Sequence, residues 1–314
     1  MYTLPAIFCH IRNVTLVDNR HTTNPYINLA IEEYLVRHAD CSNRNLLLLY
    51  INQPSVVLGK NQCIYKEVNM EYLRTNELLL CRRISGGGTV YQDDGNLCFS
   101  FIQQFTEQKV NNYRLFNQPV VEALHRIGVA AEMDERNNII CRGKKISGNA
   151  QFTNRKNIIS HGTLLVNANL PVLRASLREN DFAVETKAVG SVRSSVANLP
   201  DVGSSITTAT ALRNYLAAQL GGTGVLSFTD TEWKLITQSA EEKFKSFAWV
   251  YGRTPHTVIV KPQARITVED GIITAIETSL TGLPELTGTR YTYTDIKKAL
   301  GYTPNAAVLL KVLF

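Results

Sequence analysis

Asn45 to Ile51 reads NLLLLYI, and Ser55 to Gly59 reads SVVLG. Short, nearly unbroken apolar runs of this length, split by Asn52, Gln53 and Pro54, predict two strands and a turn. ELLLCRRI (77–84) and NLCFSFIQQ (96–104) predict two more, which makes the glycine-rich stretch between them a strand connection. NIICRGKKISGNAQ (138–151) predicts strand, turn and strand, with Gly143 in the turn, and HGTLLVN (161–167) predicts a strand that opens on His161. Helical spacing is found in NPYINLAIEEYLVRH (24–38): Asn24 can cap it, Pro25 suits its first turn, and Leu29, Ala30 and Tyr34 share a face. VVEALHRIG (120–128) predicts a helix ended by Gly128, and further helices are expected near 171–178 and 208–219. Beyond Trp249 the pattern changes. ARITVEDGIITAIET (264–278) is a hairpin about Asp270 and Gly271, followed by a short helix, TDIKKALG (294–301), closed by Gly301. Strands and helices mixed without regular βαβ alternation predict an α+β fold. A large domain is expected over residues 1–250 and a small ββα-type domain over 255–314.

Composition narrows the class. The 314 residues are 44% hydrophobic and 19% charged, which is ordinary for a globular chain with a sizeable core. No apolar run approaches the roughly 18 to 20 residues that span a bilayer, so no membrane role is expected. The opening MYTLPAIFCH has neither the basic leader nor the long apolar run of a signal peptide, and a cytoplasmic protein is expected. Six cysteines show no C-x-x-C spacing, which argues for reduced thiols rather than a zinc ribbon or a thioredoxin-type site. The net charge of +6 is mild and spread along the chain. That is no nucleic-acid footprint; it favours an anionic small molecule or an acidic protein partner.

Four stretches carry the candidate chemistry. In RRISGGGTVYQDDGN (82–96), three glycines allow a positive φ and close approach of a ligand or another strand. Successive N–H groups there can form an anion nest beside Arg82 and Arg83. A loop closing over an anion and a flexible turn with a bulge both fit. GKKISGNAQ (143–151) places Lys145, Ser147 and Asn149 on one face of an alternating strand, a face suited to a polar ligand or simply to water. His161 heads an apolar run and is either a structural or a site histidine. ETKAVGSVRSSVANL (185–199) mixes Lys187, Gly190, Arg193 and hydroxyls, the composition of a polar loop able to act as a lid. Neither G-x-x-x-x-G-K-[ST] nor G-x-S-x-G occurs, and no His/Asp/Glu cluster has metal-ligand spacing, so no metal site is expected.

Taken in order, PSVVLGKNQ, RRISGGGTVYQDDGN, KKISGNAQ, HGTLL, SVRSSVANL and WVYGRTP closely resemble the lipoate–protein ligase family from about Asn24 to Pro255. The resemblance implies a mixed central sheet flanked by helices, similar to biotin protein ligases and distantly to class II synthetases. It also implies a two-step reaction. The lipoate carboxylate attacks the α-phosphate of ATP to give lipoyl-AMP, and a lysine of an apo lipoyl domain then takes the acyl group. The acceptors implied are E2 subunits of 2-oxoacid dehydrogenases and the glycine cleavage H protein, with Mg²⁺ neutralising the departing pyrophosphate. Carried onto this chain, the resemblance gives Lys145 as the catalytic lysine. Arg83, Ser85, Gly86, Gly87, Gly88 and His161 bind the acyl substrate. Val90, Tyr91, Asn96, Asn138, Lys187 and Arg193, with Lys145, bind the nucleotide.

Two positions depart from the family pattern. Asn138 stands where an aspartate is expected, and an amide is a weaker Mg²⁺ ligand than a carboxylate. Gln92 stands where a histidine is common. An alternative therefore accompanies the ligase reading: a lipoyl or octanoyl transferase that uses a preformed adenylate or another acyl donor. A thiol-dependent version needs an activated cysteine, for which Cys141 is the nearest candidate.

Overall fold

The computed structural model describes residues 13–177, 181–222 and 224–314. Cys9, the opening ten residues and the last residue of the helix expected over 171–178 lie outside the described residues. The fold is α+β with a mixed sheet, as expected. The described residues group into two compact units whose segments interleave along the chain. One draws on Met1–Gln53, Gln92–Asn169 and Ser194–Thr237, the other on Pro54–Tyr91, Leu170–Arg193 and Gln238–Phe314. Residues 255–314 fall inside the second unit, which also takes up two earlier stretches.

The first unit is built on a six-stranded sheet. Val14–Val17 pairs in parallel with Asn45–Tyr50 and with Val225–Leu226. Asn45–Tyr50 runs antiparallel to Asn96–Gln104, which runs antiparallel to Asn157–Leu165, and Asn149–Thr153 closes that edge. Alternation sorts the long strands cleanly. Leu97, Phe99 and Phe101 point into a core with Phe116, Val120 and Leu124 of the helix Tyr113–Arg126 and Leu212 and Leu216 of the helix Ala209–Leu220. Ser100 lies opposite Leu48 on one side and His161 on the other, so these three share the other face. The helix Pro25–His38 packs there, with Asn24 accepting from the N–H groups of Tyr26 and Ile27 at its start. Two expectations change. His161 sits in the middle of a nine-residue strand, because Asn157–Ser160 pairs as fully as the apolar run after it. The helix expected from Val120 begins at Tyr113 and carries Pro119 within it.

The second unit holds a four-stranded antiparallel sheet and a three-stranded sheet ordered Leu79–Arg82, Ser55–Leu58, Val90–Gln92. The glycine run therefore leads into a short strand of its own sheet, and not directly into Asn96–Gln104. Likewise Asn45–Tyr50 and Ser55–Leu58 are no hairpin, since they belong to different sheets. The hairpin Ala264–Glu269 and Ile272–Thr278 turns on Asp270 and Gly271, both with positive φ (49° and 76°), as its sequence demands. Ala183–Thr186 adds a strand that takes in the first two residues of the polar stretch 185–199.

Among the described residues, Arg82 is the fully buried cation of this unit. Its guanidinium donates to the carbonyls of Gly59 (3.0 Å), Lys60 (3.3 Å), Gln62 (2.8 Å) and Val250 (2.8 and 3.0 Å) and to the Thr254 hydroxyl (3.1 Å). No carboxylate is among these partners. Burial pulls its pKa down to about 10, which leaves it charged at neutral pH. The planar fork ties the 59–62 turn and the 250–254 segment to one strand end. Arg82→Met removes the guanidinium from all five acceptors, most of them buried, and about 3 kcal/mol or more of stability should be lost. Urea unfolding that showed an unchanged midpoint would contradict this role.

Candidate active site

The glycine loop is stapled from within. Arg83 donates through Nε to Ser85 Oγ (2.9 Å) and through its terminal nitrogens to the carbonyls of Val57 (3.2 Å), Gly86 (2.6 Å) and Gly88 (2.8 Å). The guanidinium that the sequence offered to an anion thus shapes the loop that would meet it. Lys60 N–H donates to the Ser85 carbonyl (2.8 Å), and Arg83 N–H to that of Leu58 (3.0 Å). The loop lies so close to the preceding turn that a Cβ at Gly59 would collide with the Gly87 carbonyl. Gly87 itself has φ 90°, which disfavours any side chain. Gln62 joins the pieces. Its Oε1 accepts from Gly59 N–H (3.0 Å) and Thr89 Oγ1 (2.7 Å), and its Nε2 donates to Ser191 Oγ (2.9 Å). Val90 is half-buried beside this loop, while Tyr91 is buried in the second unit's core. Lys187 and Arg193 are exposed at either end of the loop that carries Ser191.

In the first unit, Lys145 is held by its backbone. Its N–H donates to the Ser195 carbonyl (2.8 Å), and its own carbonyl accepts from Ala197 N–H (3.1 Å). Its side chain lies across Gly148, where an added Cβ would come 3.0 Å from Nζ. The hairpin reading holds around it: Ile139–Cys141 pairs with Lys144–Ser147 across Arg142 and Gly143, which both have positive φ. The register slips between Ile139 and Ile140, a bulge that breaks the simple alternation expected of Lys145, Ser147 and Asn149. Ser147 Oγ and Asn149 Oδ1 still meet at 3.5 Å, and Asn149 Nδ2 donates to the Asn137 carbonyl (2.8 Å). Gly162 makes room for this, since a Cβ there would strike Asn149 Oδ1 and the Phe99 ring.

Asn138 is buried at the base of the neighbouring turn, and Asp134 holds it twice. Asp134 Oδ1 accepts its N–H and Oδ2 accepts its Nδ2, both at 2.8 Å. An aspartate at 138 would face another carboxylate there; the amide turns that repulsion into a hydrogen bond. Asn96 is fully buried, with Nδ2 3.4 Å from Cys98 Sγ and an Oδ1 that has no hydrogen-bond partner among the described residues. Gln92 ends a chain of buried amides that runs from Asn19 to Asn28 (3.0 Å), to Asn52 (2.8 Å) and to Gln92 Oε1 (2.6 Å).

His161 rests on a group that sequence reasoning missed. Its Nδ1 stands 3.0 Å from both carboxylate oxygens of Glu32, which also accepts from the hydroxyls of Tyr50 (3.0 Å) and Ser100. Glu32 is wholly buried in the middle of a helix face. Burial pushes its pKa up, but the charge and hydrogen bond of His161, with the two hydroxyls, outweigh it and hold the carboxyl below its ordinary value. Gln62, Glu67 and Ser191 were missed as well. A buried acid inside an apolar helix was a readable signal for Glu32; nothing local marks the other three. Among the described residues no three His, Cys, Asp or Glu side chains gather to hold a metal. The described cysteines are all buried. Burial drives the Cys41 thiol up to about 11 and keeps Cys98 protonated, and Cys141 sits in the core with Sγ on the Val202 carbonyl (3.9 Å).

Because Glu32 is held below its ordinary value near 4.5, its stabilisation is full above that value and is lost as pH falls through the folded pKa. Glu32→Gln has no proton to take up there. Its unfolding free energy should therefore fall less than that of the wild type between about pH 5 and about pH 3, read from urea unfolding at each pH. Parallel profiles would show that the carboxylate network is not what acid disrupts.

Comparison with known proteins places the chain in a family. The family model for the lipoyl protein ligase A/B catalytic domain matches residues 24–221. A lipoate–protein ligase of Bacillus subtilis is 40% identical over 245 residues, which cover 76% of this chain and 74% of that protein. A crystal structure of lipoate–protein ligase A bound with ATP superposes with a TM-score of 0.64 at 26% identity, covering 76% of this chain and 97% of that one. A bipartite lipoate protein ligase from Thermoplasma acidophilum, studied with its E2 lipoyl domain, gives a TM-score of 0.62 at 26% identity, over 76% and 95% of the two chains. With a fold, a motif order and a sequence in common with these enzymes, the chain belongs to the lipoate–protein ligase family.

Proposed function

We propose that this protein activates lipoate with ATP and transfers the lipoyl group to a lysine of an apo lipoyl domain, on an E2 subunit or an H protein. The observation that carries the reading is Lys145, whose backbone is clamped on both sides while its side chain is laid over a residue that has none. Bringing a carboxylate to a triphosphate opposes two anions. A cation already in place needs no reorganisation as the charge shifts. A carboxylate oxygen bonds to the α-phosphorus, the bond to the β-phosphate oxygen breaks, and pyrophosphate leaves. The lysine amine then bonds to the acyl carbon as the acyl–phosphate bond breaks; AMP leaves and the amine loses its proton. Mg²⁺ enters as the counter-ion of the ATP phosphates and is part of that substrate. Ser85 to Gly88 would lie along the acyl chain, His161 would close over it, and Asn96, whose buried oxygen has no partner among the described residues, would face the nucleotide with Val90, Tyr91, Asn138, Lys187 and Arg193. Residues 1–250 would form the catalytic part, 255–314 the accessory part, and the cytoplasm is the expected setting.

Asn138 favours one second reading, transfer from preformed lipoyl-AMP alone. Its amide already spends a donor on Asp134. Intact-mass measurement on an apo lipoyl domain separates the two. A lipoyl mass shift is expected with lipoate, Mg²⁺ and ATP together, and none when ATP is left out. A shift only with synthetic lipoyl-AMP would replace ligation by transfer. Lys145→Ala should stay folded and lose on the order of 10²-fold in the ATP-driven rate, the scale of one lost transition-state charge contact; near-normal turnover would refute its role. Gly87→Val should abolish lipoate binding by calorimetry, because φ 90° leaves no room for a branched side chain.

A further inference from the structure

In the loop over residues 187–193, Ala188 packs against the second unit's core, and the side-chain hydrogen bonds converge on Ser191. Lys187, Val189, Val192 and Arg193 are exposed, Val189 at 84% and Val192 at 62%, so burial of these valines contributes nothing to holding it. Ser191 turns the other way and makes four hydrogen bonds. Its N–H donates to Glu67 Oε1 (3.0 Å) and its hydroxyl to Glu67 Oε2, while Oγ accepts from Gln62 Nε2 and Thr89 N–H, each at 2.9 Å. A serine hydroxyl has one proton and two lone pairs, and here all three are used. The carboxylate makes two of the four bonds charge-assisted, the stronger kind. Glycines on both sides admit this contact. A Cβ at Gly88 would lie 3.0 Å from Ser191 Oγ, and one at Gly190 would lie 3.3 Å from Lys66 Cε and 3.6 Å from Glu67 Oε1.

We propose that Glu67 and Ser191 are positioning residues for the ligase reaction. They latch the 187–193 loop onto the Thr89 end of the glycine loop, so that the two loops are ordered as one piece before substrate arrives. The proposal rests on the reading of Lys187 and Arg193 as nucleotide-binding residues, and neither Glu67 nor Ser191 has to touch the nucleotide. Ordering a loop costs conformational entropy. A loop already latched spares ATP that cost, and one that must be ordered on binding weakens apparent affinity. Gln62 extends the coupling, since one amide holds the Gly59 turn, Thr89 and Ser191 together.

The test is amide hydrogen exchange on the full-length, ligand-free protein for wild type, Ser191→Ala, Glu67→Ala, Glu67→Gln and Gly88→Ala, followed by steady-state kinetics with lipoate and an apo lipoyl domain. In Ser191→Ala and Glu67→Ala, exchange across 187–193 should rise roughly tenfold, with that of the 157–165 strand unchanged. Their KM for ATP should rise about five- to tenfold, the scale of a net hydrogen bond or two, with a smaller change in kcat. Glu67→Gln keeps an acceptor oxygen and should fall between wild type and Glu67→Ala. Gly88→Ala presses on the same hydroxyl from the other loop, so its effect and that of Ser191→Ala should not add. Unchanged exchange in Ser191→Ala overturns the latch. Raised exchange with an unchanged KM for ATP overturns its part in the reaction. A wild type that lipoylates nothing would sink the proposed activity and this proposal's kinetic half, while the exchange comparison still decides whether the latch exists.

Discussion

Two backbones meet where neither residue has a side chain. The Gly87 carbonyl lies against Gly59 so closely that a single methyl group on Gly59 would force them apart. Much of the second unit's chemistry follows from that contact. With the loop seated on the turn, the Gly86 and Gly88 carbonyls come within reach of Arg83, and Thr89 comes within reach of Gln62. Arg82 then secures the far side of the turn by binding the carbonyls of Gly59, Lys60 and Gln62. Adjacent arginines share one kind of task. Each supplies several donors in a fixed plane to backbone oxygens around a tight turn. A lysine at either position could not serve, because its donors sit at one point.

The first unit solves a different problem, that of holding ionisable groups where water is scarce. Glu32 would be costly to bury alone. Its oxygens are met by His161, Tyr50 and Ser100, so the carboxylate stays charged and the imidazole is fixed by its Nδ1 edge. The cost of orienting these groups is met on folding rather than on binding, which is the condition for electrostatic preorganisation. Asp134 and Asn138 form a smaller version of the same device, with an amide donor opposite a carboxylate. Lys145 differs from both, since its backbone is clamped and its side chain reaches over a glycine.

The polar loop connects these observations along the chain. Its 187–193 part is fastened through Ser191 in the second unit, and its 195–197 part pairs with Lys145 in the first. Serines suit such a segment because each can donate and accept without bringing charge or bulk.

Much was legible in the sequence itself. The helix Pro25–His38 with its Asn24 cap, the hairpins at Arg142–Gly143 and Asp270–Gly271, and the α+β class all follow from local rules, because capping, positive φ and side-chain period act over a few residues. The order of the motifs identified the family, and the glycine run pointed to a place of close approach. Only the tertiary structure decided what the glycines approach, and that Arg83 grips the loop instead of standing open beside it. It also decided that Glu32 lies under His161, 129 residues away, and that Ser191 reaches Glu67 across 124. Such pairings leave no local trace. A buried glutamate or a loop serine is chosen by its partner, and the partner is set by how sheets and loops stack after the chain has folded back on itself.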